Sequence, residues 1–279
     1  MTECRPNSIV EYRAWLKDKH GVTVDKRVEN HFKSVALRLQ LEFESSTFWV
    51  KLINNLKNYH EEFLVETGYN LFTSLERPRI VTKPFESFLL KTFRANILEN
   101  TGWPEQPIGG WVLPANWYSR VHDIVRTCLV VKYLDGVEFV IGKIQHLCDQ
   151  KGLHCEVAFE AREEGYYAAH VNVQQEFEIP RLDWDTERIE AHAEIQVTTQ
   201  LQEVIRRLLH KYYERNRERV TSEKDATKWQ WEYRSDEFVA NYLGHILHYV
   251  EGMIMDVRSR QAAADRRDLV QHSPTGRKP

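Results

Sequence analysis

Apolar residues recur at helical spacing through the first quarter of the chain. Steps of three and four residues place such side chains on one face of a helix, so residues 8–67 are predicted to form helices. The clearest series is Phe48, Val50, Leu52, Ile53, Leu56, Tyr59, Phe63 and Leu64. The pattern breaks at residues 76–79, and Pro84 then suits the first position of a new helix that runs to about Asn96.

A change of period near residue 126 predicts a sheet. Strands are expected near residues 127–134, 152–159, 166–178 and 190–198, and helices near 136–150 and 200–215. Strands arranged around a crossover helix are typical of a mixed sheet. The predicted fold class is therefore α+β, with a mixed sheet of about four to five strands flanked by helices and with helical additions at both ends.

Residues 101–117 are rich in Gly, Pro and Trp and are predicted to form a loop. This loop either covers a substrate as a lid or folds its tryptophans onto the core.

A long C-terminal helix is predicted from about Ser235 to Arg260, after a charged connection at residues 215–234. Its apolar residues alternate steps of four and three, which makes one seam. We call these residues the C-terminal seam: Val239, Leu243, Ile246, Val250, Met253 and Val257. The seam must pack on the N-terminal helices, on the sheet or on another copy of the chain. Residues beyond 261 are predicted to form a frayed, mobile tail.

Two short predicted strands carry the strongest candidates for catalytic or ligand-binding residues. Residues 165–170 read GYYAAH, and residues 194–199 read EIQVTT. Alternation along a strand places Glu194 and Gln196 on one face, and the same rule places Tyr166 and His170 together. A carboxylate in a sheet crevice is costly unless it holds a metal or a hydrogen-bond donor. With Asp123, which precedes an apolar strand, Glu194 could clamp Mg²⁺ against phosphates.

A basic stripe follows the predicted helix after Thr82. At about 100° per residue, one stripe contains Lys83, Ser87, Lys91 and Arg94. A lysine at the positive end of a helix is unfavourable unless an anion binds there. The stripe therefore indicates an anionic ligand, although a solvated basic face of an amphipathic helix explains it as well.

The overall composition narrows the classes of protein. The 279 residues carry a formal net charge of −3, which gives no global field selective for nucleic acid or an anionic membrane. No run of eighteen apolar residues and no N-terminal signal region occur, so a cytoplasmic protein without a membrane span is expected. The four cysteines show no CxxC spacing and are predicted to be reduced thiols.

Four segments in this order resemble motifs of the RelA/SpoT nucleotide pyrophosphokinase family. KPFESFLLK at 83–91 resembles its Lys-Ser-x-x-Ser-Ile-x-x-Lys helix, and DIVRTCLVV at 123–131 resembles its Asp-Ile-x-Gly-x-Arg-Ile-Val-Val strand. GYYAAH is similar to the family's GYRSLH, and EIQVTT is similar to its EIQIRT. The resemblance runs from about Lys83 to Glu214 and implies the family's nucleotidyltransferase-like synthetase fold.

The resemblance also implies an activity. It implies Mg²⁺-dependent transfer of the β,γ-pyrophosphate of ATP to the 3′-hydroxyl of a guanosine nucleotide, as in synthesis of the alarmone (p)ppGpp. Asp123 and Glu194 would hold Mg²⁺, and Glu194 would also help to deprotonate the hydroxyl. The residues implied for ATP are Lys83, Ser87, Lys91 and Arg94, and those implied for the acceptor are Tyr166, His170 and Gln196.

Simpler roles remain open for several of these residues. Asp123 could cap an element beside Arg120 and Arg126. Tyr166 would stack on the acceptor base by resemblance, but a strand tyrosine also fills a core or an edge. His170 and Gln196 could make ordinary structural hydrogen bonds.

The departures from the family motifs mostly remove a guanidinium. Val81, Cys128, Tyr167 and Thr198 stand where the family has arginine. Because no other side chain offers the planar fork of arginine, the phosphate contacts of the acceptor are the part most affected. Two alternatives follow: pyrophosphorylation of the tRNA 3′ end by a growth-inhibiting toxin, or a non-catalytic module that senses a nucleotide or partner. No hydrolase motif of the His-Asp type is visible, so synthesis alone is expected.

The tRNA alternative has a candidate surface, the basic patch Arg206, Arg207, Lys211, Arg215, Arg217 and Arg219. A solvated helix face explains this patch equally well. His245 and His248, with Glu251 three residues on, lack the further ligand that a zinc site needs. Residues 210–213 weakly resemble the family's closing helix.

The predicted organisation has four parts. Residues 1–75 form an N-terminal helical region, 76–215 the synthetase-like core, 216–262 a C-terminal helical extension and 263–279 the tail. The expected partners are ATP and a GDP, GTP or tRNA acceptor, without a membrane. A homo-oligomer, or an antitoxin or activator, would bind through the C-terminal helix.

Overall fold

A computed structural model describes residues 4–163, 165–180, 185–208 and 229–271. The sheet consists of β1 (Val81–Thr82), β2 (Val125–Val131), β3 (Cys155–Ala161), β4 (Tyr167–Pro180) and β5 (Thr186–Thr199). The helices are α1 (Ile9–His20), α2 (Lys26–Ser45), α3 (Thr47–Thr67), α4 (Phe85–Phe93), α5 (Trp117–Arg120), α6 (Leu134–Lys151), α7 (200–208) and α8 (Asp236–Gln271). A π-helical turn at Arg94–Leu98 and a 3-10 turn at Trp229–Trp231 complete the elements.

The N-terminal helices form as the apolar spacing predicts, and local chemistry sets their ends. Ser8 and Asp25 cap α1 and α2 by accepting hydrogen bonds from backbone N–H groups of the first turn. Gly21 ends α1 with a φ of 66°, a left-handed conformation that glycine adopts without strain. The second and third helices bury their apolar faces in the same hydrophobic cluster as the sheet.

The five strands form one mixed sheet in the order β1-β2-β5-β4-β3. β2 runs parallel to β5, and all other neighbours are antiparallel. The prediction of a mixed sheet in an α+β fold is confirmed. The strand ends differ from the predicted ones. β2 ends at Val131 because α6 begins at Leu134. β4 and β5 are longer than predicted and pair as a long hairpin. β1, with two residues, is too short to show a periodic pattern.

The two faces of the sheet differ in chemistry. One face carries Leu129, Val171, Ile195 and Val197, all at most 2% exposed, and packs into the cluster shared with α2, α3 and α6. The other face carries mostly polar side chains, and the register aligns them across the strands. We call this second set the polar face: Arg126, Cys128, His170, Asn172, His192, Glu194 and Gln196.

The C-terminal helix is confirmed, but the predicted role of its seam needs correction. Four of the six seam residues are at least half exposed: Val239, Ile246, Met253 and Val257. The side of α8 that packs inward carries small or polar residues instead: Ala240, Asn241, Gly244, Glu251 and Arg258. These four exposed residues therefore pack neither on the N-terminal helices nor on the sheet. Packing on a second copy of the chain stays a prediction.

A close backbone approach explains why α8 turns this side inward. A Cβ added at Gly244 would lie 2.1 Å from the carbonyl oxygen of Gly165, and a Cβ added at Gly165 would lie 2.3 Å from that of Asn241. Gly165 also has a φ of 74°. Two glycines thus let α8 lie directly on the loop before β4, and this contact rather than the apolar seam sets the orientation of the helix.

α8 is also longer than predicted, with 36 residues, and it continues to Gln271. The predicted tail must therefore be corrected for residues 263–271, which are helical. Ala262, Ala263 and Ala264 favour a helix, and the next helix breaker is Pro274. Residues 272–279 lie outside the described part, and so does most of the predicted connection at 215–234.

The tryptophan-rich loop packs on the N-terminal helices. Trp103 and Trp111 lie 5.7 Å and 5.0 Å from Trp15 between ring centroids, and Asn96 exchanges two hydrogen bonds with the backbone of Val112. Of the two interpretations of the loop, these contacts favour packing on the core.

All four cysteines are unbonded thiols, as predicted. Across the described residues, no helix has both the length and the apolar character that a bilayer span requires.

Candidate active site

Asp123 lies immediately before β2 and is held between two lysines. Lys83 Nζ donates to Oδ2 at 2.7 Å, and Lys91 Nζ donates to Oδ1 at 2.9 Å. Lys91 belongs to α4, whereas Lys83 precedes that helix and its backbone N–H bonds to the carbonyl of Ile124. The structure thus brings together three of the predicted residues, which we call the lysine cluster: Lys83, Lys91 and Asp123.

Charge dominates the lysine cluster. Burial alone would raise the pKa of Asp123, but the two ammonium groups outweigh this effect and bring its pKa to about 2. Burial lowers the pKa of Lys83, and the carboxylate of Asp123 opposes that shift. Two ammonium groups around one carboxylate leave one surplus positive charge, so the cluster can attract an anion.

Two residues of the predicted stripe do not join this cluster. Ser87 is exposed on α4, and Arg94 pairs with Glu99 through Nη2 and Oε1 at 2.7 Å. Arg94 begins the π-helical turn that follows α4. The predicted helix had Pro84 at its first position, whereas α4 begins at Phe85 with Pro84 as its N-cap.

Glu194 lies on the polar face near the middle of β5 and makes two side-chain contacts. Gln196 Nε2 donates to its Oε1 at 2.8 Å, and His170 Nδ1 lies 3.1 Å from its Oε2. The cross-strand register produces this arrangement because His170 on β4 is paired with Gln196. Sequence alternation alone placed Glu194 beside Gln196 but could not place either of them beside His170.

The contacts continue beyond His170. Its Nε2 lies 3.2 Å from the hydroxyl of Tyr166 and 3.6 Å from a carboxylate oxygen of Glu160. The guanidinium of Arg162 lies over the Tyr166 ring, 5.3 Å from its centroid. We call the linked set the histidine cluster: Tyr166, His170, Glu194 and Gln196.

A histidine and an amide hold the Glu194 carboxylate. Burial alone would raise its pKa, but the contact with His170 and the amide of Gln196 lower it more, so that its pKa lies below the usual range. The charge of Asp123 acts in the opposite direction and raises it. The two carboxylates are therefore close enough to repel each other, and both are ionised at neutral pH.

The residue types and their repulsion fit a divalent cation. Carboxylate oxygens are suitable ligands for Mg²⁺, and a cation between Asp123 and Glu194 would remove their repulsion. The described residues contain no group of three or more His, Cys, Asp or Glu side chains placed to hold a metal. Two protein carboxylates suffice when phosphate oxygens and water complete the shell, which is the usual way in which Mg²⁺ binds.

Sequence reasoning gave no role in the site to several residues on or beside the polar face. His122 and His192 stack with ring centroids 3.8 Å apart, and burial followed by the neighbouring His122 lowers the pKa of His192 to about 4. Arg126 and Asn172 are the cross-strand neighbours of Glu194. The sequence did contain a signal for two of these residues. Strand alternation places His192 on the same face as Glu194, and Asn172 on the same face as His170.

The weaker candidates have structural contacts. His245 contacts the Tyr167 hydroxyl at 2.8 Å, and His248 stacks on the Tyr167 ring with centroids 3.7 Å apart. In the basic patch, Arg206 and Arg207 both pair with Glu203. The rest of the patch, from Lys211 to Arg219, and the segment 210–213 lie outside the described residues.

The structure also contains two cavities, of about 310 and 240 Å³. Neither is lined by Glu194 or by any residue of the lysine cluster.

Comparison with known proteins identifies the fold. The small alarmone synthetase 1 from Bacillus subtilis, bound to its product pppGpp, matches with a TM-score of 0.51 and 16% identity, over 85% of this chain and 100% of that chain. A GTP pyrophosphokinase family protein from Streptococcus pneumoniae matches with a TM-score of 0.47 and 14% identity, over 87% and 97%. No sequence family and no curated protein matches the chain. The chain therefore has the fold of a small alarmone synthetase.

Proposed function

We propose that this protein is a Mg²⁺-dependent pyrophosphokinase that transfers the β,γ-pyrophosphate of ATP to the 3′-hydroxyl of a guanosine nucleotide. The observation that carries the proposal is the pair of ionised carboxylates Asp123 and Glu194, which are close enough for the charge of Asp123 to raise the pKa of Glu194. Asp123 has two lysines beside it, and Glu194 contacts His170, which in turn contacts Tyr166. The same fold occurs in a synthetase bound to pppGpp, which supports this choice among phosphoryl-transfer reactions.

The lysine cluster would hold ATP. Its surplus positive charge suits a polyphosphate, and the half-exposed Lys91 can turn from Asp123 to a phosphate oxygen. Lys83 is buried and fixed, so it would keep Asp123 in place and also face the charge that develops on the triphosphate. Ser87 and Arg94 would contact ATP only after a change of side-chain position, because Ser87 is exposed and Arg94 pairs with Glu99.

Asp123 and Glu194 would hold Mg²⁺ together with phosphate oxygens. When bound, the ion would neutralise charge on the phosphates and help to align them. The residues of the chain contribute positioning, because both carboxylates are fixed by partners before any ligand binds. Such fixed charges need little reorganisation during the reaction.

The histidine cluster would position the acceptor. Glu194 accepts the hydrogen bond of the 3′-hydroxyl, whose oxygen forms a bond to the β-phosphorus of ATP. The bond between that phosphorus and the oxygen bridging to the α-phosphate breaks, and AMP leaves with that oxygen. The proton of the hydroxyl passes to Glu194 and then to solvent, and His170 keeps the carboxylate oriented.

The acceptor base would stack on Tyr166. The ring lies immediately before β4, is half-buried and has Arg162 against it. On the polar face, Arg126 offers a guanidinium on the strand next to that of Glu194. The family motifs have no arginine at the position of Arg126. Guanosine phosphates would therefore be held by a different set of cations from the one in the family.

Purified protein tests the proposal directly. It is incubated with ATP and Mg²⁺ in the presence of GDP, GTP or deacylated tRNA, and AMP release is followed. We expect AMP release that depends on a guanosine nucleotide and disappears in Glu194→Gln. The matched control is Glu190→Gln, which removes an exposed carboxylate four residues away on the same strand. Release that depends on tRNA would instead favour the toxin activity, and binding of ATP without release under any condition would favour a non-catalytic module.

A further inference from the structure

A cavity of about 240 Å³ lies between α8, the turn after β2 and the start of α7, and it is separate from the polar face. Its lining combines one acidic residue, one lysine, polar groups and aliphatic side chains: Lys132, Tyr133, Leu134, Gln200, Leu201, Glu251 and Ile254. Pockets for drug-sized ligands span about 300–1,000 Å³. The cavity therefore suits a smaller molecule.

Glu251 is the unusual member of this lining. Its side chain is only 4% exposed, and neither carboxylate oxygen has a hydrogen-bond partner among the described residues. Burial raises the pKa of Glu251, and the nearby Thr199 and Gln202 side chains lower it by less. A buried acid without partners opposes folding, and such a conflict is expected where a ligand binds.

No described cation balances this carboxylate. His248 Nδ1 lies 3.7 Å from Oε2, but burial, followed by the neighbouring His245, lowers the pKa of His248 and keeps it neutral. Arg258, two turns further along α8, is engaged elsewhere. Its guanidinium pairs with Asp135 at 3.0 Å and lies on the Tyr69 ring, 3.8 Å from the centroid. An ammonium group on a ligand would therefore supply the charge that the described residues do not offer to Glu251.

The rest of the lining defines the other end of such a ligand. Lys132 is half-buried and would repel a simple cation, but it would attract an anionic group on the same molecule. Leu134, Leu201 and Ile254 give apolar surface between the two charged residues. A molecule with an ammonium, an anion and a short apolar body would satisfy all of these groups together.

We propose that this cavity is a binding site for a small zwitterion of the apolar amino-acid type. The ammonium group binds Glu251, the carboxylate binds Lys132, and the aliphatic side chain packs on Leu134, Leu201 and Ile254. The site is independent of the proposed transfer reaction, because it shares no residue with the lysine or histidine cluster.

Three related probes separate the parts of this recognition. L-Leucine has all three features, isoamylamine lacks the carboxylate, and N-acetyl-L-leucine lacks the ammonium. Binding to the full chain is measured by isothermal titration calorimetry and by the shift of the unfolding temperature. We expect saturable binding of L-leucine, binding of isoamylamine weakened by about tenfold or more, and no binding of N-acetyl-L-leucine.

Variants identify the residues. Glu251→Gln keeps the shape of the side chain and removes the buried charge, so it is expected to fold with an equal or higher unfolding temperature and to lose L-leucine binding by at least about tenfold. Lys132→Gln is expected to weaken L-leucine and leave isoamylamine unchanged. The control is Asp256→Asn, an exposed carboxylate on the same helix, which should bind like the wild type.

Three results would overturn the proposal. They are the absence of saturable L-leucine binding, L-leucine binding that is unchanged in Glu251→Gln, and isoamylamine binding as tight as that of L-leucine. The last result would define a site for simple cations.

Discussion

The lysine cluster and the histidine cluster hold their carboxylates by different chemistry. Asp123 is fixed by two full positive charges at 2.7 and 2.9 Å, and its pKa falls to about 2. Glu194 is fixed by the amide of Gln196 and the imidazole of His170, at 2.8 and 3.1 Å. The first arrangement carries surplus positive charge, whereas the second keeps its carboxylate available as an acceptor.

This difference suggests how the two halves of the proposed reaction are divided. A site for a polyphosphate needs cations, and a site that activates a hydroxyl needs an ionised and oriented acceptor. The lysine cluster meets the first need and the histidine cluster the second. If the division is correct, substitutions in the two clusters will have distinguishable effects on kinetics, stability and acid tolerance.

The largest effect is expected for Glu194→Gln. The amide keeps the size of the side chain but cannot accept the hydroxyl proton, so kcat should fall by about 10²–10⁴-fold with little change in KM for ATP. Steady-state AMP release measures both constants. Glu190→Gln serves as the control, and a Glu194→Gln variant with wild-type kcat would remove this residue from the mechanism.

Lys83→Met should affect both activity and stability. Loss of one buried cation beside Asp123 is expected to cost about 3–5 kcal/mol in the free energy of unfolding. It should also reduce kcat/KM for ATP by about 10²–10³-fold. Urea unfolding and ATP kinetics measure the two effects.

Lys91→Met offers the matched comparison because Lys91 is half exposed. Its loss should cost no more than about 1 kcal/mol. Equal destabilisation by the two variants would contradict the view that burial distinguishes the two lysines. Lys57→Met, an exposed substitution on α3, controls for loss of a lysine elsewhere.

Tyr166→Ala should affect the acceptor side alone. Loss of base stacking is worth about 1–3 kcal/mol, which corresponds to a rise of about 5- to 150-fold in KM for the acceptor, with KM for ATP unchanged. Tyr166→Phe retains the stacking surface and should keep the acceptor KM near the wild-type value. An equal rise in the KM for ATP would show that the two clusters do not divide the substrates.

The smallest effect at neutral pH concerns acid stability. The folded-state pKa of Asp123, about 2, lies below the ordinary value of about 3.9 for an aspartate. Its contribution, on the order of 2 kcal/mol, is therefore complete above about pH 4 and is lost as the pH falls through about 2. The free energy of unfolding of the wild type should fall through this window, and Asp123→Asn should lack that part of the fall. Parallel curves for the two proteins would contradict the assigned ion pairs.

Periodic segments were predictable from the sequence because their physics is local. Helices in the first 67 residues, the mixed sheet and the C-terminal helix all follow from spacing and alternation. The orientation of α8 was not predictable in this way, because it depends on contact between Gly165 and Gly244, which are 79 positions apart in the chain. The π-helical turn that begins at Arg94 likewise gave no periodic signal.

The candidate site was predictable only in part for the same reason. Alternation placed Glu194 beside Gln196, and resemblance suggested that Asp123, Lys83 and Lys91 act together, as their contacts now allow. The approach of His170 to Glu194 depends on cross-strand register, and the stacking of His122 on His192 depends on the packing of a turn against β5. Such contacts appear only when strands are paired.

One measurement tests the central claim most directly, namely the fate of the β-phosphorus of ATP. Wild-type protein is incubated with Mg²⁺, GDP or GTP, and ATP labelled at the β-phosphorus, and the products are separated by mass. Transfer of an intact pyrophosphate predicts unlabelled AMP in equal amount to a labelled guanosine nucleotide, and neither product with Glu194→Gln. Label retained in ADP, or AMP formed equally by wild type and Glu194→Gln, would contradict the account.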